Sequence, residues 1–189
     1  MTIFRTPLLA AAFIAISSLA QAQTPLSAHP VGLTPSNPTL EQIWAETFAK
    51  IRRPAGPTKS VWDQAPAVNA ITFNAALQID DRTMVGVSAL FSNGVGCDMG
   101  PNGKNAIEQP VVCPGKIALF RDQTIVAVAD IPKVCISSLM HDRDPAYQTV
   151  AVLSSDRRQV FIAGAKDNVP LAGDFSGVKD CTVAVPIPR

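Results

Sequence analysis

The residues best suited to acid-base chemistry lie in one charged segment, SSLMHDRDPAY, at residues 137–147. Nucleophilic catalysis by a Ser-His-Asp or Cys-His set needs a histidine as its base. The chain has two histidines, and His29 lies in a proline-rich segment, so the candidate catalytic residues are His141, Asp142 and Asp144. The alternative interpretation is that this segment is a solvated turn, which is what charged loops of this kind usually are.

A second candidate site is the segment NGVGCDMGPNGKNAIEQPVVCPG, residues 93–115, which is rich in glycine, proline and asparagine. Its polar side chains Asp98, Asn102, Lys104 and Asn105 are the candidate binding residues. The glycines are spaced G-x-G-x-x-x-G, which departs from the dinucleotide fingerprint, and the segment from Pro101 to Lys104 cannot open the helix that would hold a pyrophosphate. The segment therefore predicts an exposed binding loop and no nucleotide cofactor.

Oxygen ligands in the same loop raise the question of a metal. Asp98, Asn102, Asn105 and Glu108 do not follow the EF-hand pattern, because Glu108 is the eleventh residue counted from Asp98 and the motif needs its carboxylate at the twelfth. An irregular calcium loop stays open as an alternative. No two cysteines have the C-x-x-C spacing of zinc sites. We predict neither a metal nor a cofactor.

Four cysteines, an even number, suit a protein of an oxidising compartment. Of the three pairings, we favour Cys97 with Cys113 and Cys135 with Cys181, because the first pair closes a loop full of turn residues. The closed loops contain 17 and 47 residues, both ends counted. On the chain-entropy model they stabilise the fold by about 3 and about 4 kcal/mol.

The start of the chain has the form of a bacterial export signal, and we predict that residues 1–22 are a removable signal peptide. Arg5 precedes an apolar run that is too short to span a bilayer, and Ala20 and Ala22 form a small-x-small cleavage pattern. A periplasmic or secreted protein follows from this prediction, with no transmembrane segment. The remaining chain has 15 basic and 15 acidic residues once Arg5 is removed, which gives no electrostatic case for nucleic acid.

Two segments precede the main body of the chain. Residues 23–38 contain four prolines, which predicts an extended, partly disordered arm. Residues 39–53 predict an α-helix, because apolar residues recur at spacings of three and four and Pro54 ends the pattern. The members of this apolar stripe are Leu40, Ile43, Trp44, Phe48 and Ile51.

Beyond residue 68 the apolar period changes to two, which is typical of half-buried strands. Three hairpins are visible, with their turns around Asp81, Asp122 and Asp156, and a last strand runs from Cys181 to Val185. We interpret the three as similar hairpins, although their spacing leaves open a repeat of propeller type. The predicted fold is mostly β: a single disulfide-stabilised domain over residues 39–189, a β-sandwich or small barrel of seven to eight antiparallel strands in a hairpin meander, with one N-terminal α-helix.

The absence of an evident catalytic set favours a non-enzymatic function. The expectation is an exported binding protein of the bacterial cell envelope, of inhibitor, immunity or assembly-accessory type. It would act through exposed loops on another protein or envelope macromolecule. Two alternatives remain: a small secreted hydrolase that uses His141, and a structural envelope component that contacts its neighbours through the arm at residues 23–38.

Overall fold

The computed structural model describes residues 23–31, 38–51, 70–92, 97–98, 110–137 and 144–189. This part of the chain is mostly antiparallel β-structure with one helix, as predicted. The helix is α1 (Pro38–Ile51). The strands are β1 (Thr24–Pro25), β2 (Ser27–Val31), β3 (Ala70–Gln78), β4 (Thr83–Ser92), β5 (Val111–Arg121), β6 (Thr124–Ile136), β7 (Tyr147–Leu153), β8 (Gln159–Lys166), β9 (Val169–Pro170), β10 (Asp174–Phe175), β11 (Val178–Lys179) and β12 (Thr182–Pro186).

The strands form two five-stranded sheets and a small ribbon. Sheet 1 has the order β2-β3-β4-β5-β6, and sheet 2 has the order β1-β7-β8-β12 with β9 paired to the end of β8. The ribbon consists of β10 and β11. Eight of the strands have five residues or more, which matches the seven to eight expected, and the described strands do not close into a barrel.

All three predicted hairpins are confirmed. The first two, β3-β4 and β5-β6, are neighbours in sheet 1, whereas the third, β7-β8, lies in sheet 2. Blades of a propeller would each form a sheet of their own. The hairpins are therefore similar local units placed in two sheets, and the repeat interpretation is wrong.

One hydrophobic core joins the two sheets, because successive side chains of a strand point to opposite faces. In β4, Val85, Val87 and Ala89 are fully buried towards sheet 2, and Leu90 is buried on the other face. The core cluster contains side chains of both sheets. Its members with no more than 1% exposure are Val85, Val87, Ala89, Val111, Cys113, Ile117, Ile131, Val134, Ile136, Ala151, Val160 and Ile162.

Helix α1 covers the outer face of sheet 1. The predicted apolar stripe is confirmed at Ile43, Trp44 and Phe48, which are buried against β4 and β5. The indole NH of Trp44 donates a hydrogen bond to Ser88 Oγ over 2.8 Å, which satisfies two polar groups inside this contact. The helix contact and the core cluster shared with sheet 2 thus involve opposite faces of β4 in sheet 1.

The proline-rich segment differs from the arm that its composition predicts. Residues 23–31 lie in the sheets: β1 pairs with β7 of sheet 2, and β2 pairs with β3 of sheet 1. Leu26, where the segment crosses between the sheets, is 5% exposed and belongs to the core. Both strands are outermost in their sheets, where a proline without an NH is tolerated, so the prolines do not prevent pairing.

The two predicted disulfides are confirmed. Cys97 pairs with Cys113 of β5, with their Cα atoms 4.2 Å apart, and Cys135 pairs with Cys181 over 5.3 Å. The second bond links β6 of sheet 1 to the residue that precedes β12 of sheet 2. It therefore ties the two sheets together, which is consistent with an oxidising compartment.

The predicted signal segment, residues 1–22, and residues 32–37 of the predicted arm lie outside the described residues. Within the described ranges, no helix has the length and hydropathy that crossing a membrane requires.

Candidate functional site

The turns of the three hairpins lie at the same end of the two sheets. The turns comprise residues 79–82, 122–123 and 154–158. Hydrogen bonds join neighbouring turns: the Asp122 NH donates to the Arg82 carbonyl over 2.9 Å, and the Arg157 guanidinium donates to the Ile79 carbonyl. The second bond runs from sheet 2 to sheet 1. We call this part of the molecule the turn end.

A cleft of about 630 Å³ opens between the two sheets at the turn end. The segment that follows β12 forms part of its wall, and the Ile187 NH holds this segment by donating to the Arg158 carbonyl over 2.9 Å. The cleft is of a size typical of small-ligand sites. Its lining consists of Ile79, Thr83, Leu119, Arg121, Val126, Arg157, Arg158, Gln159, Pro186, Ile187, Pro188 and Arg189.

Four of these lining residues are arginines, and none is acidic. Arg121 ends β5 in sheet 1, Arg157 and Arg158 lie in the β7-β8 turn, and Arg189 follows β12 in sheet 2. Among the described residues, the guanidinium groups of Arg121, Arg158 and Arg189 have no ion pair or hydrogen bond. Arginine side chains therefore face the cleft from both sheets with donors available for an anion.

The carboxylates of Asp80, Asp122 and Asp156 interact with cleft-lining residues as well as with groups outside the cleft, and Asp122 is held mainly from outside. The guanidinium of Arg82 holds both of its carboxylate oxygens, with an Nε to Oδ1 distance of 2.8 Å. These hydrogen bonds keep the pKa of Asp122 below its ordinary value of 3.8. The charge of Arg121 also helps to lower the pKa of Asp122, so this carboxylate offsets part of the positive charge of the cleft.

Asp80 and Asp156 are engaged within their own turns. The Arg82 NH donates to Asp80 Oδ1 over 2.9 Å, and this bond is the main reason that the pKa of Asp80 is lowered. The Ser154 hydroxyl donates to Asp156 Oδ1 over 2.6 Å and is the main cause of the lowered pKa there. Each carboxylate stabilises a turn in the manner of an Asx turn, and both stay charged at neutral pH.

The rest of the cleft is apolar, with side chains from both sheets. Val126 is 49% exposed, which is high for a large apolar side chain. It has no register partner on β5, because a bulge places Phe120 opposite Ile125 and Leu119 opposite Ala127. Bulges often redirect a side chain next to a site, and this one leaves Val126 in the cleft lining.

The lining offers groups that can bind an anion. Thr83 supplies a hydroxyl that hydrogen-bonds to the carboxylate of Asp80, and no histidine, aspartate or glutamate is among the described residues that line the cleft. Guanidinium groups above apolar surface can bind carboxylates or phosphates through paired hydrogen bonds.

A second cleft, of about 570 Å³, lies between α1 and sheet 1. Its lining includes Ile43, Met84, Phe120 and Ser88, and none of its lining residues is charged. It offers no group that would select a ligand by charge. The arginine-lined cleft is therefore the stronger candidate.

Only part of the sites predicted from sequence falls within the described residues. His141, Asp142, Asn102, Lys104 and Asn105 lie outside them. Within the described ranges, no group of three or more histidine, cysteine, aspartate and glutamate side chains is placed to hold a metal ion.

Asp98 and Asp144 are the two predicted site residues that the structure describes. Asp98 is exposed, and its backbone pairs with Val112 through hydrogen bonds of 2.7 and 3.0 Å. The Asp144 carboxylate lies 3.0 Å from Lys166 Nζ and accepts the Ala146 NH over 3.1 Å. The ion pair with Lys166 is the main reason that the pKa of Asp144 is lowered, so this carboxylate is held in a local ion pair. Neither residue lines the arginine cleft.

The cleft arginines do have a sequence signal, although their residue type does not match a catalytic set. Each hairpin turn places arginine next to aspartate: DR at residues 81–82, RD at residues 121–122 and DRR at residues 156–158. Antiparallel connections of this length return the chain to the same end of a sheet. Comparison of the chain with protein-family models, with curated proteins and with solved structures found no match, so its arginine-lined cleft is the basis for an inference about function.

Proposed function

We propose that this protein is an exported, non-enzymatic binding protein of the cell envelope that holds an anionic group of another macromolecule in the arginine-lined cleft. One observation carries the proposal: four arginines, and no aspartate or glutamate among the described residues, line a cleft between the two sheets. The binding class is the one expected from sequence. The proposed surface is the turn end, whereas the loop at residues 93–115 stays a prediction of its own.

The arrangement of charges supports an anionic ligand. Like charges that converge on one cavity repel each other, so the cluster costs stability unless an anion or solvent compensates it. Asp80, Asp122 and Asp156 are not among the lining residues, and their main partners are Arg82, Ser154 and turn NH groups. Arg121 and Arg158 also interact with these carboxylates, which offset part of the positive charge. A protein that only needed a soluble turn end would not have to gather arginines from both sheets into one cavity.

The proposal includes a fold in which the two sheets are the layers of a β-sandwich. Two observations support this fold: both sheets contribute to the core cluster, and the Cys135–Cys181 bond joins them. In a sandwich the loops at either end are free to vary while the layers stay packed. The turn end is one such set of loops.

Export through the segment at residues 1–22 stays part of the proposal. The two disulfides support it, because cytosolic reductants keep most such bonds open. The alternative of a small hydrolase that uses His141 has less support, because the nearby carboxylate Asp144 is paired with Lys166. A His141→Ala variant with unchanged hydrolytic activity towards ester and glycoside substrates would remove that alternative.

Nuclear magnetic resonance titration tests the anion site directly. Sodium phosphate is added to the ¹⁵N-labelled mature protein at constant ionic strength, with sodium chloride as the reference. We expect saturable shifts in the arginine side-chain signals and in the backbone amides of the three turns. Binding should weaken in Arg121→Gln and Arg158→Gln, whereas Lys179→Gln makes the same charge change on the exposed ribbon and should have no effect. Shifts that do not saturate, or that persist unchanged in both arginine variants, would refute the proposal.

A further inference from the structure

We propose that the ligand of the arginine-lined cleft is an extended acidic segment of a partner protein, in which carboxylate side chains alternate with apolar ones. This inference rests on the proposed function, since it names the chemical class of the anion. It follows from how charge and apolar surface are distributed within the cleft.

The positive charge comes from both sides of the cleft. Arg121 ends β5 of sheet 1, while Arg158 lies in the β7-β8 turn and Arg189 follows β12, so both are attached to strands of sheet 2. A ligand that satisfies both walls must carry anionic groups at more than one point. A fatty acid or a phospholipid has its charge at one end only, and so leaves one wall without a partner. A peptide with several carboxylates meets both walls.

Apolar side chains share the lining of the cleft with the arginines. Leu119 and Val126 contribute from sheet 1 and Ile187 from sheet 2, and Val126 is half exposed. A ligand that covers this surface removes apolar area from water, which makes the free energy of binding more favourable by about 25 cal/mol per Å². Inorganic phosphate and sulfate have no apolar surface, so their binding does not gain this free energy. A ligand that carries apolar groups as well as charges therefore uses more of the lining than a simple anion does.

The molecule already contains an example of the contact that we propose. Arg82 and Asp122 form a paired contact in which Nε and Nη2 each bind one carboxylate oxygen. Arg121 precedes Asp122 directly, yet it lines the cleft without such a partner among the described residues. The planar guanidinium suits this two-point contact with a carboxylate better than the ammonium of lysine does. The cleft arginines can form the same contact with the side chains of an acidic peptide.

Extended peptides have the right periodicity for such a surface. In an extended chain, side chains alternate between two sides at about 3.3 Å per residue. Carboxylates at every second position lie on one side, and apolar residues lie on the other. A short peptide of this pattern presents two or more carboxylates and an apolar face together.

Isothermal titration calorimetry with defined peptides tests the inference. The probe is the acetylated, amidated peptide Glu-Leu-Glu-Leu-Glu, and the matched control is Gln-Leu-Gln-Leu-Gln, which has the same shape without charge. We expect saturable binding of the acidic peptide and at least tenfold weaker binding of the control. Arg121→Gln and Arg158→Gln should each weaken binding by about tenfold, and added salt should weaken it further. Lys179→Gln should leave the affinity unchanged, and circular dichroism shows whether each variant is folded.

The possible outcomes separate this inference from the proposed function. If phosphate binds in the cleft but the acidic peptide binds no better than the neutral one, the ligand class is wrong and the anion site stands. If vesicles of phosphatidylglycerol bind and the peptide does not, the ligand is a lipid and the inference is also wrong. If neither phosphate nor peptide binds, the inference and the proposed function fail together.

Discussion

Leu26 is expected to be essential to the stability of the domain, although it lies in a segment whose composition predicts an arm. It is 5% exposed and packs in the core at the crossing from sheet 2 to sheet 1, and its NH donates to the Thr149 carbonyl over 2.8 Å. Leu26→Ala removes three buried carbon atoms and leaves a cavity. In comparable cores this costs about 3 kcal/mol, out of a total stability of about 5–15 kcal/mol.

The assay is urea unfolding of the protein from residue 23 onward, followed by circular dichroism. We expect the free energy of unfolding to fall by about 3 kcal/mol with an unchanged m-value. In a domain of this size, that loss corresponds to a decrease in melting temperature of about 6–12 °C. The matched control is Val169→Ala, which truncates an apolar side chain that is 65% exposed. Its effect should stay within about 0.5 kcal/mol.

A loss below about 1 kcal/mol for Leu26→Ala would refute this reasoning, because it would mean that the segment contributes little to the core. The result also bears on the alternative of an assembly arm. Deletion of residues 23–31 should unfold the domain, so loss of assembly after such a deletion would not identify a contact surface. A point variant that leaves the core intact is needed for that purpose.

Three further changes have defined consequences. Trp44→Phe removes the NH that donates a hydrogen bond to the Ser88 hydroxyl. The free energy of unfolding in urea should fall by about 1–3 kcal/mol, because this hydroxyl is then buried without its donor. Gly164→Ala should lower the melting temperature, at a cost of about 1–3 kcal/mol, because its new Cβ would lie 2.5 Å from a disulfide sulfur. Arg82→Gln should raise the pKa of Asp122 towards 3.8, measured by carbon NMR of the carboxyl group, because it removes the hydrogen bonds that lower this pKa.

Each of these predictions has its own control. Adding Ser88→Ala to Trp44→Phe should recover part of the loss, and a double variant that is less stable than the single one would contradict the role of the hydrogen bond. For Gly164, Gly173→Ala offers a comparison in an exposed turn, although its φ of 139° adds backbone strain there. If Gly164→Ala leaves the melting temperature unchanged, the space between residue 164 and the Cys181 sulfur is wider than the distance of 2.5 Å indicates.

The pH dependence of the Arg82–Asp122 pair has a definite sign. A lowered pKa in the folded state means that the folded protein holds its proton less tightly than the unfolded chain does. The contribution to stability is therefore present above the unfolded value of 3.8, and it is lost as pH falls through the folded pKa. Asp144, which is held by Lys166 and not by Arg82, serves as the control in the Arg82→Gln variant. An equal change at both carboxylates would contradict the assignment.

Local patterns account for the elements that the sequence predicted correctly. The hairpins follow from alternation with period two around polar turns, and the helix follows from an apolar stripe that ends before Pro54. The helix ends within two residues of the prediction, at Ile51. Disulfide pairing also followed from local features, because Cys97 and Cys113 flank a single loop.

Pairing of residues 23–31 depended on tertiary structure. The segment has no alternating pattern, and its prolines predict an extended chain. Its partners β3 and β7 lie about 45 and 125 residues later in the chain, a separation estimated from the strand bounds. Residues 23–31 can pair with β3 and β7 only if the folded sheets leave the edges of these two strands open. No local sequence pattern shows which edges are open.

The sequence by itself determined that each hairpin turn carries an arginine next to an aspartate, and that the chain is a disulfide-bonded β-protein. Only the tertiary structure decided which of those arginines share a cleft. Arg82 is held by Asp122, whereas Arg121 and Arg158 line a common cavity, because the two sheets pack with their turns at the same end. Residue type decides the charge, but the packing of one sheet on the other decides which charges meet.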